Sequence, residues 1–137
     1  MTATAERRAP RARDRAAGAA LWVLQIGAAA FFLVSALGKF SDAPMIAATF
    51  DALGFGEWFQ YLVGGLEVIG AAGLLVPRLA GAAALAFVAL MAGATAVQLV
   101  VVGGGAATPL VLLVLSAVVA WGRRASTARL WAPVSRR

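Results

Sequence analysis

A single carboxylate, Glu67, stands inside GGLEVIGAAG, residues 64–73, a run otherwise made of glycine and aliphatic residues. An acid in such a setting is either a clamp between helices or a ligand or proton site, because burying it is costly unless it finds a partner. Gln25, Lys39 and Gln98 are the other strongly polar side chains embedded in apolar sequence, and with Glu67 they form the candidate intramembrane polar site. Cysteine and histidine are both absent. That removes disulfides, thiolate metal sites, covalent haem attachment, cysteine nucleophiles and imidazole acid–base chemistry together. No catalytic constellation and no metal site is therefore predicted, and an enzymatic role is disfavoured. The glycines Gly103 to Gly105 lack the strand, helix and lysine context of a phosphate loop and read as a flexible turn.

Whatever Glu67 does, the elements around it must be membrane spans. The 137 residues are 62% hydrophobic and 13% charged, far from the balance of a water-soluble domain. Residues 1–18 are Arg- and Ala-rich with no apolar periodicity and are expected to be a disordered basic arm. The pattern then predicts an all-α membrane protein, a bundle of four transmembrane helices at about 19–38, 58–76, 79–102 and 106–122, followed by a basic tail over 123–137. Between the first two spans, SDAPMIAATFDALG carries Asp42 as a cap, Pro44 in a first turn and Gly54 as a stop. It predicts a short interfacial helix with Met45, Ile46, Phe50 and Leu53 on its apolar side, with an irregular loop as the alternative.

Charge placement orients the bundle. Ten of the twelve basic residues lie in the two end segments, Arg7–Arg15 and Arg123–Arg137, and Arg78 lies in the turn between the second and third spans. The remaining connections hold Lys39 beside Asp42, Asp51 and Glu57. An excess of Lys and Arg marks the cytoplasmic side, so both termini are expected there, in a multi-pass protein of the cytoplasmic membrane. The net charge of +6 thus reflects topology, and no nucleic-acid partner is expected. Val34-Ser35-Ala36 leaves signal-peptide cleavage as a competing reading of the first segment, although its apolar run exceeds a signal core. Trp22, Trp58, Trp121 and Trp131 fall near predicted interfaces, where an aromatic belt accounts for them without a redox role.

In this frame Glu67 lies near the bilayer midplane, where an acid costs roughly 2 to 3 kcal/mol on insertion scales. Buried without a cation, it favours its neutral form and donates a hydrogen bond. Gly64, Gly70, Gly73 and Ala71 surround it at helical spacing and form the expected close-packing face. Depth counted along each helix makes Gln25 its first-choice partner. Lys39 is second, because it sits near the outer end of its span and would have to reach inward. A Glu67–Gln25 bond that only sets helix register is worth about 0.6 to 2 kcal/mol.

SALGKF, GFGEWFQYLVGGLEVIGAAGLLVPRLAG and LMAGATAVQL together resemble the DoxX-like family of small four-helix bacterial membrane proteins. The resemblance implies that the helix-one lysine of that family is Lys39 and its helix-two acid is Glu67. It also implies an inner-membrane setting, with relatives associated with thiosulfate and quinone oxidoreduction or with oxidative-stress membrane complexes. Two functions follow as expectations. One is a non-catalytic subunit or accessory of a membrane complex, with the lipid bilayer, complex subunits or further copies of itself as partners. The alternative is a quinone-like or lipid-like small-molecule or redox-linked site around Glu67, although no motif supports a quinone or any other cofactor. A transporter is a weaker third reading, because no internal repeat is evident.

Overall fold

The computed structural model describes residues 11–132, and among these every regular element is helical. Helix α1 covers Ala12–Phe40, α2 Pro44–Leu53, α3 Glu57–Leu75, α4 Ala80–Val97, α5 Ala107–Gly122 and α6 Arg124–Trp131. A π-helical turn, Gln98–Val102, prolongs α4. Three helices are long and apolar enough to cross a bilayer: α1, α3 and α4 with its π turn. A fourth crossing is reached only if α5 and α6, bent by 64° at Arg123, are taken as one.

Helix α1 begins at Ala12, ahead of the expected start at Ala19, because the Ala- and Arg-rich segment before it is itself a good helix former. Part of the arm expected to be disordered is therefore helical, and residues 1–10 lie outside the described residues. The 29 residues of α1 run to roughly 43 Å, beyond the ~30 Å hydrocarbon thickness, so its arginine-bearing first turns project from the bundle. The basic tail likewise contains structure, since α6 folds back against α4.

The buried residues of α3 are Gln60, Gly64, Glu67, Ala71 and Leu74, separated alternately by four and three positions. Helix α1 keeps the same rhythm through Gln25, Ala29, Phe32, Ala36 and Lys39. A seam with a mean spacing of 3.5 winds two helices around each other, and α1 and α3 pack antiparallel along it. Helices α4 and α5 form the other extensive pair, and the short Val76–Leu79 turn joins the two pairs through α3 and α4. Their common centre is the Phe32–Phe87 stack, with ring centroids 3.6 Å apart, among Ala28, Ala29, Ala71 and Ala84.

The outward faces are apolar rather than polar. Val23, Ile26, Val34, Leu37, Ile69, Val100 and Val111 are all more than half exposed, a surface suited to lipid and not to water.

The expected short helix forms as α2, entered through Pro44 and ended by Gly54 in the left-handed region at φ 75°. Ile46 packs on Gly38, Phe50 on Phe59, and Met45 points outward. Asp42 does not cap it: Ala43 holds that position with no side-chain bond. Gly103, at φ 80°, closes the π turn, and Gly104 N–H donates to the Gln98 carbonyl at 2.9 Å. Helix α5 starts at Ala107, with Thr108 and Pro109 in its first turn.

Candidate functional site

Lys39 and Glu67 are brought together across the α1–α3 seam. The ammonium lies 3.0 Å from Glu67 Oε2 and 3.1 Å from Oε1, and it donates to Ser35 Oγ at 2.8 Å. Ser35 Oγ in turn donates to Glu67 Oε1 at 3.2 Å. All three ammonium donors are thereby used, which is what a buried ion pair needs if it is not to be a net cost. Glu67 is 2% exposed and Lys39 8%.

Lys39, and not the expected Gln25, is the partner of Glu67, because side-chain reach rather than backbone depth decides the contact. The Lys39 backbone sits level with Gly64, whose missing side chain lets Lys39 Cβ and the Phe40 ring approach. A helical side chain leans toward the N-terminus of its own helix, so the lysine stem extends back by about one turn to Ser35. On antiparallel α3 that level is Glu67, one turn beyond Gly64. With a cation beside it, the condition for a neutral Glu67, burial without one, is not met.

A rim of polar residues extends the pair to the bundle surface. Gln60 Nε2 donates to the Lys39 carbonyl at 2.6 Å and to Asp42 Oδ1 at 3.2 Å. Tyr61 Oη donates to the Asp42 carboxylate at 2.8 and 2.9 Å. Asp42 has φ 51°, the only positive φ at a non-glycine position among the described residues. Its left-handed backbone terminates α1 where glycine is usual, and its carboxylate is held by α3 instead of capping α2.

Gln25 belongs to the opposite end. Fully buried, it donates to the Leu74 carbonyl at 2.6 Å, one of the last-turn acceptors of α3 that have no partner within the helix. Its Oε1 accepts from Arg123 Nε at 2.7 Å, and the Arg123 guanidinium lies 5.5 Å from the Trp22 ring. Gln98 is at neither end cluster: it opens the π turn, and its buried Oε1 has no partner. The four polar residues grouped from sequence are thus distributed over three places.

The close-packing residues also divide. Gly64 faces α1, whereas Gly70 meets the Phe87 ring and Gly73 meets Ala83, both on α4. Ala71 is fully buried on the seam with Glu67. Sequence reasoning did not single out Gln60, Ser35 or Arg123. The first continues the four-three rhythm through Gly64 and Glu67, and the second stands one turn before Lys39, so both carried a positional signal. Among the described residues no group of three or more potential metal-ligating side chains occurs.

The DoxX-like family profile matches residues 23–130. The chain belongs to the DoxX-like family. In this DoxX-like protein the matched segment holds α2 to α5 entire and most of α1 and α6. Both the Lys39–Glu67 pair and the Gln25–Arg123 contact therefore lie inside the family region. With its long apolar helices, membership identifies a helical membrane protein. No curated protein and no solved structure matches the chain.

Proposed function

We propose that this DoxX-like protein is a non-catalytic subunit or accessory of a membrane complex, crossing the cytoplasmic membrane four times with both termini inside. The observation that carries the reading is the saturation of Lys39, Glu67 and Ser35 by one another. A polar site that satisfies itself behaves as a clamp fixing the register of α1 on α3. Neither the groove between α3 and α4 nor the one beside α4, α5 and α6 is lined by these residues.

The groove between α3 and α4, about 470 Å³, has Leu66, Ile69, Gly70, Gly73, Ala83 and Leu90 in its walls. Small residues let a neighbouring helix approach closely in lipid, so this face suits a partner subunit or a second copy. In this reading the fourth crossing is the bent pair: α5, at 16 residues and roughly 24 Å, covers most of the ~30 Å core, and the residues after the Arg123 elbow complete it. The inside position of the ends follows from the arginines that flank α1, α5 and the α3–α4 turn.

Purification in native-lipid discs tests the reading. A stoichiometric partner, or an oligomer lost on Ala86→Trp in the groove, is expected. Recovery of only the isolated chain under several mild conditions overturns it.

A second reading is a small-molecule site, quinone-like or lipid-like, at Glu67. What favours it is the continuous polar path from exposed Asp42 through Gln60 and Lys39 to buried Glu67. It requires a co-purifying organic molecule that disappears in Glu67→Gln; unchanged retention in that variant overturns it.

A further inference from the structure

The 64° elbow between α5 and α6 is built into the packing. Helix α6 seats on α4 where Gly81 lacks a side chain: a Cβ there would collide with Thr127 Oγ1 and lie 2.7 Å from the Arg123 carbonyl. Under the elbow, on the outward side of α4 and α5, runs a groove of about 520 Å³. Leu85, Val88 and Ala117 line its apolar length, and Trp121, Trp131 and Arg124 stand at its mouth.

Arg124 is held there without a counter-ion. Its guanidinium lies 4.6 Å from the Trp121 ring centroid, and Nη1 donates to the Trp121 carbonyl at 2.9 Å. Among the described residues the ion pair found is Lys39–Glu67, at the other end of the bundle. Arg78, Arg123 and Arg129 share the Arg124 end with the arginines that begin α1, and Asp14 is the acid among them.

We propose that this groove binds one anionic phospholipid, its phosphate on Arg124, its glycerol region between Trp121 and Trp131, and one acyl chain along Leu85, Val88 and Ala117. An apolar trough ending at interfacial tryptophans and an unpaired arginine matches the three zones of such a lipid in order. The surplus of positive charge selects a headgroup with net negative charge, because a zwitterionic one would set its own cation among arginines. It also disfavours a second copy, since a two-fold pairing through this face brings arginine against arginine.

The full chain, reconstituted in bilayers of equal phosphatidylglycerol and phosphatidylcholine and released for native mass spectrometry, provides the test. One phosphatidylglycerol retained in preference to phosphatidylcholine is expected. Arg124→Gln, at an exposed position, should reduce that preference roughly five-fold, the loss for one basic residue at a lipid surface. Ala117→Trp, which fills the trough and leaves every charge in place, should release the lipid. Equal retention of the two lipids, a lipid-free dimer, or undiminished phosphatidylglycerol on Ala117→Trp each overturns the proposal.

Discussion

Lys39 is held by α3 at both of its ends: its carbonyl accepts from Gln60 at 2.6 Å while its ammonium lies 3.0 Å from Glu67 Oε2. Removing one member of a buried pair strands the other charge, whereas removing both does not. Lys39→Met should therefore destabilise by about 3 to 5 kcal/mol, and Lys39→Met with Glu67→Leu should recover most of the loss. Thermal unfolding in mild detergent, followed by circular dichroism, measures both; losses that simply add would disprove the coupling.

Gly70 and Gly65 make a contrasting pair on one helix. A Cβ at Gly70 would lie 2.5 Å from Phe87 Cζ, and that ring cannot yield because it is stacked on Phe32. Gly70→Ala should cost roughly 1 to 3 kcal/mol through overpacking. At Gly65 nothing lies within 4 Å, so Gly65→Ala should be neutral or stabilising by up to about 1 kcal/mol. Unfolding midpoints in the opposite order would contradict the packing described.

Gln25 and Gln98 should respond oppositely to the same replacement. Gln25→Leu leaves the Leu74 carbonyl and Arg123 Nε without their bonds, a loss of about 1 to 3 kcal/mol. Gln98→Leu removes an oxygen that is buried and unpartnered, so it should be neutral or favourable. Equal destabilisation of the two variants would count against this assignment of partners.

At Asp42 backbone and side chain can be separated. Asp42→Asn keeps a residue type that tolerates φ 51° and can still accept from Tyr61. Asp42→Ala loses both advantages, with roughly 1 to 2 kcal/mol from the left-handed backbone alone. The stability order should be Asp42, then Asn, then Ala. Protease cleavage near the α1–α2 turn should rise in the same order.

The chain contains no cysteine, so single cysteines report topology directly. With both termini inside, Ala48→Cys on α2 should react with an impermeant maleimide in intact cells. Ala125→Cys on α6 should react only after lysis. The reverse pattern would invert the bundle.

Most of the long helices were legible because apolar length and terminating Pro and Gly residues are local signals. The α2 helix could be read for the same reason, from Pro44 and Gly54. The start of α1 was misplaced because polar, arginine-rich sequence was equated with disorder although alanine and arginine both favour helix. The partner of Glu67 is not legible in the sequence, because contact across antiparallel helices depends on side-chain direction and register, which counting residues from a span end does not supply. Arg123 was unforeseeable from local pattern, since it meets Gln25, 98 positions away, only because the end of α5 packs against α1.

The Phe32–Phe87 stack divides the interior into two compartments. At ~1.5 Å per residue, Gln25 and Lys39 lie about 20 Å apart along α1, with an aromatic and alanine plug between them. Perturbations that far apart with no shared partner are close to additive. Each end of the bundle can therefore be retuned by substitution without a compensating change at the other, as in a two-part modular device with an inert partition.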